Sequence, residues 1–218
     1  MVENVCLLIL TYYNLYSYLG VIHGYGKSNK ISNAESIFHK LQNETLGIKL
    51  NTIAYNSIIN VIGKCRDRTI RNKANKAYQY LQEMKTNNIP CDILTYNFAL
   101  SACSFTSTDG DEKKIAFNLA KDIMHLLFHD NNNRIEPEDY TFVILLDVYT
   151  NLLPYSKMND NSDYVQEVFR NACERGLISD YVLSKLKKVL DVEDYNRLIP
   201  RAIPLKWRRN VGKNKRRR

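Results

Sequence analysis

The stretch Asn51-Thr-Ile-Ala-Tyr-Asn-Ser-Ile-Ile-Asn-Val-Ile-Gly-Lys64 returns further along the chain as Asp92-Ile-Leu-Thr-Tyr-Asn-Phe-Ala-Leu-Ser-Ala-Cys103, with a Tyr-Asn pair at the same offset in each. In the first, Tyr55, Ile58, Ile59 and Ile62 fall at i, i+3, i+4 and i+7; in the second, Tyr96, Ala99, Leu100 and Cys103 do. That spacing puts four side chains on one face of a 3.6-residue helix, so each stretch is predicted to be one amphipathic helix. Recurrence in a constant register is the mark of a repeat array.

Extending the register finds Tyr18, Val21, Ile22 and Tyr25 upstream and Phe142, Leu145, Leu146 and Tyr149 downstream. Each set is followed by a second helix of the same spacing: Ala34, Ile37, Phe38, Leu41; Ala77, Tyr80, Leu81, Met84; Ala120, Ile123, Met124, Leu127; Val165, Val168, Phe169, Ala172. A small residue opens three of the four, which lets the paired helix approach closely as an antiparallel hairpin. A fifth first-type helix, Leu183, Leu186 and Leu190, begins near Ser179 with no clear partner. The aromatic anchors Tyr18, Tyr55, Tyr96 and Phe142 stand 37, 41 and 46 residues apart. The variation falls in loops between first and second helices, at 66–72, 106–112 and 154–162, as a solenoid tolerates because each repeat buries its faces only against its neighbours.

A single hairpin cannot hide its apolar faces, whereas stacked hairpins can. The predicted fold is therefore all-α, a right-handed α-solenoid of about four to five helical-hairpin repeats over residues 15–190, with the first helices lining the concave surface. An N-terminal extension is expected at 1–14, and a C-terminal cap and basic tail at 191–218. Composition agrees: 44% apolar and 25% charged residues support a folded core, and 8 glycines with 5 prolines are few for a strand-and-turn architecture.

The net charge of +8 is concentrated in the tail. Residues 206–218 hold eight of the 31 Lys and Arg and no acid, so the remaining 23 bases balance 23 acids. Attraction to polyanions is expected from that tail and from a second run, Lys64, Arg66, Arg68, Arg71, Lys73 and Lys76, either of which also reads as ordinary solvated charge. The five cysteines, Cys6, Cys65, Cys91, Cys103 and Cys173, are scattered and never form Cys-x-x-Cys, so neither disulfides nor zinc are expected. Residues 4–26 carry no formal charge, but the purely apolar run is only Val5 to Leu10, Asn14 and Ser17 interrupt it, and Glu3 stands where a signal peptide would be positive. No membrane partner is expected, and no Arg-rich transit peptide is visible at the start.

Thr95-Tyr-Asn97 ahead of an apolar helix, a second helix ending in Leu81-Gln-Glu-Met-Lys85, and the closing Asn88-Ile-Pro-Cys-Asp92 together resemble the pentatricopeptide repeat. The likeness extends over residues 15–190 and is closest over 52–92. The tetratricopeptide pattern Trp-x-x-Leu-Gly-x-x-Tyr occurs in none of the units. The resemblance implies a binder of single-stranded RNA in mitochondria or plastids, reading about one base per repeat and needing no cofactor.

In such a repeat a polar side chain after the first-helix aromatic, together with the residue that closes the repeat, reads a base edge, and an apolar residue near the helix start packs on the base face. The second unit supplies Asn56, Asp92 and Ile53, a pair that resembles the family's uridine reader. The third supplies Asn97, Glu138 and Leu94, with a longer acid. The outer units depart, with Leu19 closed by Asn51 and Val143 closed by Ser179; neither apolar side chain can hydrogen-bond a base. An Asn this close to a helix start also suits local backbone hydrogen bonding. Backbone phosphates are expected at Arg66, Arg68, Arg71 and Lys73 and at Arg208 and Arg209, while Trp207 suits either stacking on a base or covering the solenoid end. The alternative is a protein-interaction scaffold whose concave groove takes a peptide or partner helix, a reading to which Leu19 and Val143 point.

No catalytic or metal-ligating residues are assigned. His125 and His129 share a helix face but lack the Glu of a zinc-protease helix and a third ligand, and no His-x-Glu accompanies a Cys-x-x-Cys.

Overall fold

A computed structural model describes residues 2–43, 48–107, 109–129, 135–152, 162–200 and 202–211. Their regular structure is helical: α1 (Val2–Lys27), α2 (Ile31–Gln42), α3 (Thr52–Lys64), α4 (Lys73–Thr86), α5 (Ile93–Ser104), α6 (Gly110–His129), α7 (Asp139–Leu152), α8 (Ser162–Arg175), α9 (Asp180–Val189) and α10 (Val192–Leu198), then one 3-10 turn at Leu205–Trp207. Hairpins form between α1 and α2, α3 and α4, α5 and α6, and α7 and α8. The first helices α1, α3, α5, α7 and α9 also touch in that order, forming one layer of the array.

The helical periodicity and the packing coincide. Tyr55, Ile58, Ile59 and Ile62 of α3, Tyr96, Ala99, Leu100 and Cys103 of α5, and Phe142, Leu145, Leu146 and Tyr149 of α7 are all buried. The opening alanines of the second helices, Ala34, Ala77 and Ala120, are fully buried, as close hairpin packing requires. Neighbouring units interlock through rings: Phe38 of α2 stands edge-on to Tyr55 at 5.1 Å and to Tyr80 at 5.2 Å, geometry that adds to the stabilisation from burial itself. Val21 departs from the predicted core. It is exposed, although its counterparts Ile58, Ala99 and Leu145 are fully buried, because among the described residues no inner helix lies on the other side of α1.

Two predicted boundaries move. Helix α1 runs from Val2 to Lys27 without a break, so no helix end marks the expected extension at 1–14. The expected loop at 106–112 is shorter, because α6 already begins at Gly110. There Asp109 acts as the cap, accepting from the backbone N–H of Asp111 at 2.9 Å and of Glu112 at 3.3 Å, with two acids in the first turn favourable to the helix dipole. The loop predicted at 154–162 lies largely outside the described residues. Among the described residues, Cys65, Cys91, Cys103 and Cys173 are free. Burial pushes the Cys103 and Cys173 thiols up to about 12. Among the described residues, no helix is long and apolar enough to cross a membrane.

The buried tyrosines give the fold an alkaline limit. Burial pushes the phenols of Tyr80 and Tyr164 far above the usual tyrosine range and those of Tyr55 and Tyr149 in the same direction, with the Glu83 hydrogen bond adding to the shift at Tyr55. A group whose folded pKa is raised contributes stability that is complete below the unfolded value, about 10 for tyrosine, and is lost as pH climbs through the folded one. The urea midpoint is expected to fall steeply above pH ~10, with the buried phenolates appearing at 295 nm only as helical circular dichroism disappears. Complete tyrosinate formation on an intact helical spectrum would contradict this burial.

Candidate nucleic-acid interface

The residues expected to close each repeat all occupy one structural position, the N-cap of the next first helix. Asn51 precedes α3, Asp92 α5, Glu138 α7 and Ser179 α9. Three of them cap through side-chain oxygen: Asn51 accepts from Ala54 N–H at 3.1 Å, Asp92 from Thr95 N–H at 2.9 Å, and Ser179 from Val182 N–H at 3.3 Å. Capping satisfies amide donors that no intrahelical carbonyl can reach. The closing position thus has a structural duty in three of the four units.

The chain path from α4 to α5 carries Asp92 to Asn56. Helix α4 ends with Asn88 in the left-handed conformation at φ 55°, a geometry asparagine tolerates, and Ile89 N–H returns to the Met84 carbonyl at 2.8 Å. Pro90 follows, and its carbonyl accepts from the Thr52 hydroxyl at 2.7 Å, fastening the return segment to the start of α3. One turn further along α3, Asn56 Nδ2 donates to Asp92 Oδ1 at 3.0 Å. The Thr95 hydroxyl lies 2.7 Å from Asn56 Oδ1 and accepts from Asp92 N–H at 3.1 Å. The two residues expected to share a base in the second unit are therefore in direct contact. One N–H of Asn56 and the Oδ2 of half-buried Asp92 remain without partners among the described residues.

The third unit repeats the frame with a different outcome. Thr141 sits where Thr95 does and its hydroxyl accepts from Glu138 N–H at 3.1 Å. Asn97 is 3% exposed, yet among the described residues its Oδ1 has no hydrogen-bond partner, an uncommon state for a buried amide oxygen. In the outer units Leu19 and Val143 are 4% and 1% exposed and belong to the core. They form neither a base-reading edge nor an apolar groove floor.

Residues 11–65, which span most of α1, all of α2 and α3 and include Ile53 and Asn56, match the pentatricopeptide repeat domain family. Over those residues the chain is similar to a pentatricopeptide repeat. A relative, ATPase expression protein 3 of Candida glabrata, is 32% identical over 81 residues. That alignment takes in 37% of this chain and 13% of the relative, so the chain spans a small fraction of that protein's length.

The residue two before each first-helix anchor forms a register that sequence reading only half anticipated. Ile53 is exposed and Leu94 half-buried, and Tyr16, Tyr140 and Tyr181 occupy the same register and are exposed too. The resemblance supplied Ile53 and Leu94, but the periodic alignment on Tyr18, Tyr55, Tyr96 and Phe142 already held the tyrosines two residues before each anchor, or before Leu183.

The cations fall into three groups. Exposed Arg66 lies with its guanidinium 3.4 Å from the Phe105 ring centroid and donates to the Gly63 carbonyl, and half-buried Arg68 lies in the same loop. Arg71 is exposed and 3.6 Å from Asp109. Lys73 corrects the expectation of a phosphate contact: it is fully buried, its ammonium donating to the carbonyls of Cys65 at 3.2 Å and Asp67 at 2.7 Å, and burial lowers its pKa. It holds the loop between α3 and α4 from within.

At the far end, Arg208 donates to Asp180 at 2.6 Å and Arg209 to the Glu174 carbonyl at 2.9 Å, while Trp207 stands edge-on to Phe169 at 5.4 Å and its carbonyl accepts from Ile178 N–H. This segment covers the end of α8. Gly176 makes that approach feasible: its φ is 69°, and a Cβ there would stand 2.5 Å from the Arg209 side chain. A third cluster joins Lys64 of the basic run to His23 and Lys27, which the sequence did not single out. Exposed Lys27 and Lys64 end α1 and α3 at equivalent positions, and burial together with those two charges pushes the His23 pKa down, so His23 shares their field. Among the described residues no group of three or more His, Cys, Asp or Glu is arranged to hold a metal ion.

Proposed function

We propose that this chain binds single-stranded RNA along its first-helix layer and supports organellar gene expression, with the mitochondrion as its place of action. The observation that carries this reading is the Asn56–Asp92 contact, which leaves one N–H donor beside one carboxylate acceptor where α3 meets the start of α5, the place we assign as a base slot. A uracil complements that pair, with a carbonyl taking the Asn56 N–H and the imide N–H directed to Asp92 Oδ2. Ile53 then packs on the base face, and Leu94, Asn97 and Glu138 would take the next base, beside Tyr140. Lys27, Lys64 and Arg66 supply positive charge for the phosphates, with His23, its pKa pushed down, lying neutral among them. The name of the Candida glabrata relative, concerned with expression of an ATPase, supports a role in expression of a specific product.

A second reading, a peptide or helix in the same groove, draws on the exposed Tyr16, Ile53, Tyr140 and Tyr181, which suit an apolar peptide as well as a base. Titration with poly(U), poly(C) and poly(A) across a salt series separates the two. Poly(U) is expected to bind tightest, Asn56→Ala to remove that preference, and Lys64→Gln to lower the salt slope by about 0.7, the share of one phosphate contact to a single strand. Equal binding of all three polymers by wild type and Asn56→Ala would defeat base reading.

A further inference from the structure

Thr95 touches both members of the proposed reading pair, and its chemistry decides how one of them faces. Its hydroxyl has one proton and two acceptors in reach, Asn56 Oδ1 at 2.7 Å and Asp92 Oδ1 at 3.0 Å. Asp92 Oδ1 already receives the Thr95 backbone N–H at 2.9 Å and the Asn56 amide at 3.0 Å, whereas Asn56 Oδ1 has no other donor among the described residues. The proton therefore goes to Asn56. An amide whose oxygen accepts from Thr95 must turn its nitrogen toward Asp92 and the slot, because oxygen and nitrogen lie at opposite corners of the same planar group.

From this arrangement we infer that Thr95 is a positioning residue for base selection: its buried hydroxyl fixes the Asn56 amide so that the slot between α3 and α5 presents a donor and not an acceptor. The inference rests on the base-reading proposal above. Asp92 also holds the amide, but it is the group a base would engage, so its grip on Asn56 changes when the slot fills. Thr95 is fully buried and lies behind both residues, and its hold is independent of the ligand. The adjoining slot shows the same frame without that hold. Thr141 is fully buried at the equivalent position, yet among the described residues no hydroxyl reaches Asn97 and its Oδ1 is unpartnered. The hydroxyl-to-amide bond is thus an added feature of one slot rather than a consequence of having threonine at the third helical position.

The test compares Thr95→Val, which keeps the shape and removes the hydroxyl, with Thr95→Ser, which restores it. The readouts are the ratio of poly(U) to poly(C) affinity and the side-chain amide signals of Asn56 in a 15N-labelled protein without RNA. In Thr95→Val the ratio is expected to fall about tenfold, the scale of one lost discriminating hydrogen-bond pair, with broadened Asn56 amide signals; Thr95→Ser should recover both. Lost capping in the valine variant lowers the urea midpoint but affects both polymers alike, so it cannot by itself change the ratio. Unaltered amide signals and an unaltered ratio in a folded Thr95→Val protein would overturn the inference while leaving base reading intact, provided that Asn56→Ala still abolishes the preference. A wild type without any uracil preference would overturn base reading first and this inference with it, whatever the amide signals show.

Discussion

Gly63→Val is expected to destabilise the fold by about 3 kcal/mol, the upper part of the range for overpacked sites, and so to lower the melting temperature by roughly 6–12 °C. A Cβ at Gly63 would stand 2.4 Å from the carbonyl oxygen of Phe98 and 3.3 Å from the Ser101 side chain, both on α5. The obstacle is backbone, which cannot rotate aside as a side chain can, so α3 and α5 would have to separate. Replacing glycine within a helix would by itself gain up to about 1 kcal/mol, and the clash outweighs that gain. Gly20 supplies the opposite sign. Nothing lies within 4 Å of a Cβ there, so Gly20→Ala should gain about 0.5–1 kcal/mol. Thermal melts of both variants decide the matter; a Gly63→Val protein as stable as wild type would mean that α3 and α5 are not in this contact. The closeness has a functional side, because the spacing of successive first helices sets the spacing of the slots between them. Small residues recur at this register, with Gly26 facing Val61 of α3 and buried Ser104 accepting from Asn151 of α7 at 3.0 Å.

What could be read from the chain and what could not divide along physical lines. Helix identity, pairing and burial follow from the 3.6-residue period, which constrains many residues at once, and Tyr55, Tyr96 and Phe142 fell into the core where their spacing put them. The capping role of the closing residues was within reach but not drawn, since Asn51, Asp92 and Ser179 are the residue types that cap helices. Lys73 was not. A lysine in a basic loop is nearly always solvated, and only the three-dimensional return of the loop places the carbonyls of Cys65 and Asp67 where an ammonium can be buried against them. The link from Thr95 to Asn56 was equally hidden, because it joins residues 39 apart across two helices and depends on which of two acceptors claims a single proton. The early start of α6 was within reach of sequence reasoning, as Asp109 followed by Asp111 and Glu112 is a capping signal that the loop assignment passed over.

Asp92→Asn should separate the two duties of the closing position. Asparagine caps a helix about as well as aspartate, so α5 retains its Thr95 N–H bond and folding stability should change by about 0.5 kcal/mol or less, the part owed to losing a negative charge at the helix N-terminus. The slot changes far more. With the oxygen of the introduced amide held by the cap, its NH2 group takes the place of the free Oδ2, and the mouth then offers two donors where wild type offers a donor and an acceptor. A uracil imide N–H would face another N–H, and the preference for poly(U) over poly(C) should fall between about tenfold and a hundredfold, corresponding to about 1–3 kcal/mol for a mismatched pair. Asp92→Ala, which removes cap and acceptor together, should lose the preference and about 1 kcal/mol of stability. Measuring the affinity ratio beside the urea midpoint for both variants gives the contrast its force. If the midpoint falls in Asp92→Ala while neither variant alters the ratio, Asp92 is a helix cap alone and the Asn56 amide is ordered for structure, not for reading a base.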